Sequence, residues 1–410
     1  MKALLLFVLF LNGFTSSLIA QKSCASFIYK QNETRNNPAL VKSENQLLAR
    51  AGSGIDITGV TTEGNPTSTI ITIPVVVHVL YHSPDQKISD AVIIEQLKTL
   101  NQAFRHQNAD SVNTPAVFKS LAADCEIQFK LAISDPRKRA TTGIVKKYTP
   151  VSGWEQNDKM KFSSEMGDDA WDPKSYLNIW VCNLVDFAGY SSFVGSAENK
   201  DGLVIGFGAF GAGGKTIVHE AGHWLNLKHL WGDENCGDDA VGDTPKQASY
   251  TAGCPSGVRI TCGNSPTGDM YSNYMDFTDD ACTNLFTYGQ KARMRALFVP
   301  GGARYALLSS KGLDLPLIAE IPLPEEDPKW LEPRLYPVPA TTQMTLDLSY
   351  DVRWLGKNIQ IMNVQGIMVM NVTITNKVQS IDISRLKPGM YFLVTKKDDG
   401  ETFKQKFIKM

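Results

Sequence analysis

His219-Glu-Ala-Gly-His-Trp-Leu-Asn-Leu-Lys-His-Leu-Trp-Gly232 reads H-E-x-x-H-x-x-N-x-x-H. His219 and His223 are four apart, so on a helix they stand one turn above each other on one face. That spacing lets two neutral imidazoles share one zinc ion. Glu220, next to the first histidine, points off the ligand axis and is set to act as a general base. A straight helix would carry His229 away from the metal, so the chain must turn sharply at Asn226. The turn needs a left-handed backbone, which glycine adopts most readily and asparagine next. A helix with two core histidines is the plain alternative, but the third histidine at this spacing completes a catalytic donor set. Only six histidines occur in the chain, and three are here.

The residues that follow extend the pattern. Gly232 to Pro245 interleaves five acidic side chains with glycines. Such a loop suits calcium, which takes hard oxygen donors, although an ordinary acidic loop reads the same way. Ser272-Asn-Tyr-Met-Asp-Phe277 places Met275 46 residues after His229. A methionine in a tight turn there would floor a three-histidine site with a soft apolar side chain. Gly206–Gly214 is glycine-rich, yet its glycines lack the phosphate-loop spacing, so it reads as a flexible lead into the helix.

The 410 residues, 43% hydrophobic and 20% charged, fit a soluble protein of more than one domain. A net charge of −1 argues against a general nucleic-acid binder. Residues 1–20 carry Lys2 and then a short apolar run ending Leu18-Ile19-Ala20, a secretory signal peptide. No later stretch is long and apolar enough for a transmembrane segment. Residues 21–68 are polar and weakly patterned, a pro-segment with a short helical stretch at 45–50 and Arg50 as a processing point. Seven cysteines in an exported chain imply disulfides and at least one odd thiol. Cys24 stands alone in the pro-segment. Its thiolate can fill the open corner of a zinc site and keep the chain latent; alternatively it is idle, or paired with Cys125 or Cys182.

The β-branched run Ile70–Tyr81 predicts a buried central strand, in which His78 and His82 are packing or surface residues. Asp90–Phe104 predicts an amphipathic helix facing inward with Ala91, Ile94, Leu97, Leu100 and Phe104. Strands are expected over Glu126–Ile133, Tyr176–Leu184, Gly189–Phe193 and Leu203–Phe207. The order implies an α+β domain with a mixed twisted sheet. An edge strand beside the cleft would bind peptides by strand addition.

At this point the sequence resembles the metzincin metalloproteases, whose signature is H-E-x-x-H-x-x-[GN]-x-x-H followed by a methionine turn. HEAGHWLNLKHLWGDENC, VGDTP, NYMDFTDDAC and FTYGQKARM resemble the pappalysin family and its bacterial cytophagalysin branch over roughly residues 70–300. The resemblance implies a zinc-binding active-site helix, with His219, His223 and His229 as zinc ligands, Glu220 as the base and Met275 in the Met-turn. It implies disulfides Cys236–Cys262 and Cys254–Cys282, calcium at Asp239, Gly242 and Thr244, and Cys24 as the latency thiol. It also implies arginine after the scissile bond, held by Asp279 or Asp280. Asn226 replaces the commoner glycine. Phe277 stands where relatives often carry a tyrosine, whose hydroxyl helps to stabilise the oxyanion; Tyr271 and Tyr274 are the nearby stand-ins.

Residues 313–333 read as a Pro- and Glu-rich linker. Residues 334–410 break into six or so short strands, a small β-sandwich. YPVPAT, NVQG, LKPGMYFL and KQKFIK resemble the C-terminal sorting domain of the type IX secretion system of Bacteroidetes. The catalytic domain then spans residues 69–312. The expectation is a secreted or outer-membrane surface-attached zinc endopeptidase, made as a latent zymogen, with protein or peptide substrates and the type IX machinery as partners. A thermolysin-like enzyme would use a distant glutamate in place of His229. The non-enzyme alternative is a catalytically weak surface binding protein that keeps the fold, and Phe277 is the residue that favours it.

Overall fold

The computed structural model describes residues 24–42, 46, 70–211, 213–322, 327–328, 331–348, 351–398, 400 and 402–410. The expected signal peptide, the helical stretch at 45–50 and the Arg50 processing point lie outside them, Gln46 excepted.

The catalytic region is built on a sheet of β1 (Ile71–Tyr81), β2 (Ile127–Leu131), β3 (Ile144–Tyr148), β4 (Leu177–Cys182), β5 (Gly189–Ser191) and β6 (Leu203–Gly206). The order is β2-β1-β4-β6-β5, with β3 continuing alongside β1 past the end of β2. All pairings are parallel except β5 with β6, so the sheet is mixed and its edge is antiparallel. β1 is central and buried, as its β-branched run requires. Its His78 is a packing residue: it stacks on Trp180 and its Nδ1 lies 2.7 Å from Asp168.

Helix α1 (Ser26–Asn36) belongs to the N-terminal segment. Helix α2 (Asp90–Phe104) starts at Ser89, whose hydroxyl caps Val92 N, and lies on one sheet face. It buries Ile93, Gln96, Leu97, Leu100, Ala103 and Phe104. Of the expected inward face, Leu97, Leu100 and Phe104 are buried, whereas Ala91 and Ile94 are exposed. Ile93 takes the place of Ile94, in helical phase with Leu97, Leu100 and Phe104, and Gln96 joins the core, its side chain bonding Gly211 N and Gly214 O. A polar residue with both bonding groups satisfied can occupy a core position that an apolar count passes over. Helix α3 (Thr216–Trp224) lies on the same side, against β5, β6 and α2. Helix α4 (Tyr288–Arg295) opens on a capping box from Thr287 and Gln290.

Two disulfides, Cys236–Cys262 and Cys254–Cys282, staple the loop-rich region between α3 and α4. Cys24, Cys125 and Cys182 are free thiols, so neither alternative disulfide of Cys24 forms. The segment read as a linker begins strapped down: Ile133 N, Ala140 N and Leu317 N bond Gly312 O, Ile318 O and Lys138 O in turn.

Residues 334–410 form two antiparallel sheets. One contains β7 (Arg334–Tyr336), β8 (Gln343–Asp347) and β11 (Val378–Asp382); the other contains β9 (Asn358–Asn363), β10 (Met368–Thr373), β12 (Gly389–Lys396) and β13 (Thr402–Lys409). They share a core that includes Leu346, Trp354, Ile361, Ile381, Leu393 and Phe407, a β-sandwich. Among the described residues, no helix is long and apolar enough to cross a membrane.

Candidate metal centre

Helix α3 is held at both ends by other parts of the chain. At its head, Lys215 N donates to Asp280 Oδ2 at 3.0 Å, and the Lys215 ammonium reaches Asp110 and Thr283 O. At its foot, the Arg304 guanidinium lies 3.8 Å from the Trp224 ring centroid and bonds Asp201, which also accepts from Trp224 Nε1. The chain then turns where the spacing demands it: Asn226 has φ +72°. Arg293 Nε donates to Asn226 O at 2.6 Å and pins the turn from α4.

The turn brings the three imidazoles together. His223 Nε2 lies 3.0 Å from both His219 Nε2 and His229 Nε2, and the last two are 3.3 Å apart. Each ring faces the others with the same nitrogen because its Nδ1 is engaged elsewhere. His219 Nδ1 donates to Tyr274 O at 2.7 Å, His223 Nδ1 donates to Leu227 O at 2.9 Å, and His229 Nδ1 meets Asp233 Oδ1. Such outer contacts fix the tautomer and aim the lone pairs. Burial, and then the neighbouring His229 charge, lowers the His223 pKa to about 3, so this ring is a neutral donor at physiological pH. Nitrogens about 2.0–2.1 Å from a tetrahedral zinc stand roughly 3.3 Å apart, so the residues present fit that ion.

A fourth donor is already there. Cys24 Sγ and the three histidine nitrogens all lie within 4.8 Å of one another. Among the described residues this is the one such gathering of three or more His, Cys, Asp or Glu donors. Cys24 is held at the sheet edge, where it bridges Gly189 and Ala25 N donates to Gly189 O at 3.0 Å. The edge strand expected to receive a peptide therefore receives the chain's own N-terminal segment. Beside it, Ser26 Oγ donates to Glu220 Oε2 at 2.7 Å and accepts from Ser191 N at 2.9 Å. A cleft of about 290 Å³ remains between α1 and the end of α3 with the chain that follows it, lined by His223, Asn226 and Asp233.

Met275 lies fully buried beneath α3. A Cβ on Gly222 would meet its sulfur at 2.5 Å, so only glycine lets the helix sit this close to the methionine. Phe277 packs against His219 and His229, with ring centroids 5.6 and 4.9 Å away. Tyr274 is no stand-in for the missing phenol. Its carbonyl serves His219, but its side chain is buried against Phe286 beside Lys215, inside the core. The tyrosine that does meet Phe277 is Tyr250, 5.5 Å away, which the sequence reading passed over. Asp233, Ser26 and Gly222 were also missed. Asp233 had a visible signal, a carboxylate one short step beyond the third histidine.

The other expected site residues are placed as follows. Asp239 is buried; its carboxylate accepts from Thr244 Oγ1 at 2.8 Å and Val241 N at 3.1 Å, and Gly242 faces open space. Burial, more than anything else, raises its pKa to about 6. Asp279 and Asp280 are half-buried, and one oxygen of Asp280 is taken by the head of α3.

Comparison with known proteins agrees with this geometry. Residues 209–299 match the family described as pregnancy-associated plasma protein-A, and residues 334–410 match the secretion system C-terminal sorting domain. The chain is similar to mature mirolysin of Tannerella forsythia in complex with a cleaved peptide, at 46% identity and TM-score 0.57, covering 59% of this chain and 97% of that one. It is similar to a promirolysin mutant from the same organism at 40% identity and TM-score 0.63, covering 70% and 97%. An extracellular metalloprotease of Pyricularia oryzae is 42% identical over 136 residues, 30% of this chain and 48% of that protein. This chain spans about half the length of the curated relatives it matches first.

Proposed function

Because the chain belongs to the pappalysin family of metzincin metalloproteases, we propose that it is a latent zinc endopeptidase that hydrolyses peptide bonds of proteins. The observation that carries this reading is the convergence of His219, His223 and His229 Nε2 on one point, with Cys24 Sγ in the fourth position and Glu220 beside it. Zinc held there would lower the pKa of a bound water and polarise a scissile carbonyl. Glu220, buried and one residue from His219, takes the proton and returns it to the leaving nitrogen. Met275 holds α3 at a fixed height beneath the three rings. The β5 edge aligns the peptide once residues 24–26 have left it.

Latency comes from residues 21–68, whose Cys24 and Ser26 occupy the positions that water and substrate need. We propose 69–312 as the catalytic domain and 313–333 as the linker, with its first residues strapped to the catalytic domain through Ile318. The sorting domain at 334–410 directs export, with release or attachment at the surface and the type IX machinery as partner. Calcium is proposed for the Asp239–Thr244 turn, where the Asp239 carboxylate, the Thr244 hydroxyl and the open backbone at Gly242 supply oxygen donors. Arginine preference falls to Asp279 or Asp280, two half-buried carboxylates close after the Met275 turn.

Phe277 favours a second reading, a weak enzyme that serves as a surface binding protein, since no hydroxyl stands at that position. Incubation of the processed protein with a peptide library, with and without a zinc chelator, separates the two. Chelator-sensitive cleavage supports the peptidase; binding without cleavage supports the alternative.

A further inference from the structure

The N-terminal segment makes a second contact that neither the metal nor the base explains. Tyr29 is 3% exposed, and its phenol donates to Asp158 Oδ2 at 2.9 Å. Its ring centroid lies 5.0 Å from that of Tyr190 and 6.2 Å from that of Phe193. The polar groups that receive the phenol come from the catalytic region. Asp158 is 1% exposed; its Oδ1 accepts from Tyr190 Oη at 3.1 Å and pairs with Lys161 Nζ at 2.9 Å. Lys161 in turn donates to Lys200 O at 2.8 Å, and its ammonium lies 5.1 and 5.4 Å from the rings of Tyr190 and Trp180. The floor is therefore assembled without the segment that sits on it.

We propose that this Asp158 pocket is a second peptide-binding site of the catalytic domain, selective for a helical peptide that carries Tyr-x-x-x-Glu, and that Tyr29 and Glu33 are its resident occupants. The inference rests on reading the N-terminal segment as a removable pro-segment. Charge selects the guest. One carboxylate, Asp158, faces two ammonium groups, Lys161 and Lys200, so a cationic side chain is repelled and a neutral donor is accepted. Lys200 Nζ lies 3.1 Å from Glu33 and 3.3 Å from Asp158, so a carboxylate one turn beyond the tyrosine completes the balance. Burial and the Asp158 charge push the Tyr29 phenol well up, which keeps it a donor. Ser26 and Tyr29 are three apart on α1, so the pocket lies one helical turn from Glu220. A peptide anchored here is held against the proposed catalytic centre with no contribution from the metal.

The test uses the full-length chain stripped of metal by a chelator. Labelling of Cys24 by a neutral maleimide reports release of the segment, while the buried thiol Cys125, in a separate core, reports global opening. Tyr29→Phe is expected to speed Cys24 labelling about 10-fold, the loss of one charge-assisted hydrogen bond. Glu33→Gln is expected to speed it a few-fold, with Cys125 unchanged in both variants. Unchanged Cys24 rates in both variants, or equal acceleration at Cys24 and Cys125, overturns the proposal. A fluorescent synthetic peptide of residues 24–42 carrying Cys24→Ser is then titrated onto the full-length Tyr29→Ala, Glu33→Ala chain. It should bind, and Tyr29→Phe in the peptide should weaken binding about 10-fold; equal affinities or no binding overturns it. Both readouts are taken without metal, so failure of the peptidase reading leaves them unmoved.

Discussion

Ser26 Oγ donates to Glu220 Oε2 at 2.7 Å, so the N-terminal segment grips the proposed base as well as the proposed metal position. Latency then has two parts of unequal strength. Ligation by the Cys24 thiolate would close the coordination sphere of a bound zinc, whereas the serine adds one hydrogen bond to a carboxylate, about 1.5–3 kcal/mol. Cys24→Ser should raise the basal peptidase activity of the precursor strongly. Ser26→Ala should raise it modestly, and the pair together more than either alone. A casein or quenched-peptide assay on unprocessed protein decides; a Cys24→Ser precursor that stays fully silent counts against the thiol block.

Glu220→Ala should abolish peptide hydrolysis and leave the metal in place, since the three imidazoles and their outer partners are untouched. A general base contributes about 10²–10⁴-fold to rate. Elemental analysis of the variant should return one zinc per chain alongside a loss in kcat of that order. Retained activity would refute the assignment of the base.

Gly222→Ala tests the packing of the helix on the methionine. The added methyl would sit 2.5 Å from the Met275 sulfur, and both groups are buried. Overpacking of this kind typically costs about 1–3 kcal/mol. The expected result is a lower Tm together with weaker zinc retention, because the displaced helix carries His219 and His223. Met275→Ala in the same background should recover part of the Tm loss by removing the clash.

These residues also mark what the sequence made legible. The three histidines, Glu220 and the turn at Asn226 sit within eleven residues, where helical periodicity and backbone chemistry can be read directly. Five of the six strands of the sheet were also legible, β1 most plainly as a run of β-branched residues, but β3, half-buried along its whole length, was passed over. Contacts between distant segments were hidden. Nothing in the local pattern places Ser26 beside Glu220, or Tyr29 on Asp158, since these pairs are 194 and 129 residues apart. The error on α2 was of another kind. Ile93, Leu97, Leu100 and Phe104 recur at helical spacing, so Ile93 was legible as an inward residue, whereas no apolar count marks Gln96, whose side chain bonds the glycine-rich loop.

Asp239 gives a pH-dependent prediction whose sign follows from its raised pKa of about 6. A carboxyl that holds its proton more tightly folded than unfolded makes the folded chain the better proton binder between about pH 4 and 6. Stability therefore falls as pH rises through that window, and the cost persists above it unless a cation neutralises the charge. Calcium should raise Tm at pH 7.5 and do little at pH 5. Asp239→Asn should raise the calcium-free Tm at pH 7.5 and abolish the calcium response. Equal calcium shifts in the wild type and the variant would remove this turn as the site.

Asp233 offers the sharpest test of the metal centre, because it touches the site through His229 alone. Its Oδ1 meets His229 Nδ1, which fixes the ring so that Nε2 faces the other two imidazoles. Burial works against its charge, but the hydrogen bond from His229 counters it, and the carboxyl is held below its ordinary range. Asp233→Asn keeps the size and removes the charge. Outer partners of metal-bound histidines typically contribute 10–100-fold to affinity, and zinc affinity measured by chelator competition should fall by that order. Activity should fall at limiting zinc and recover in excess zinc, since the base and the substrate edge are intact. Unchanged affinity would mean that His229 is oriented by its other neighbours, chiefly the Trp231 ring stacked 4.4 Å away, and Trp231→Leu would then be the variant that loosens the metal.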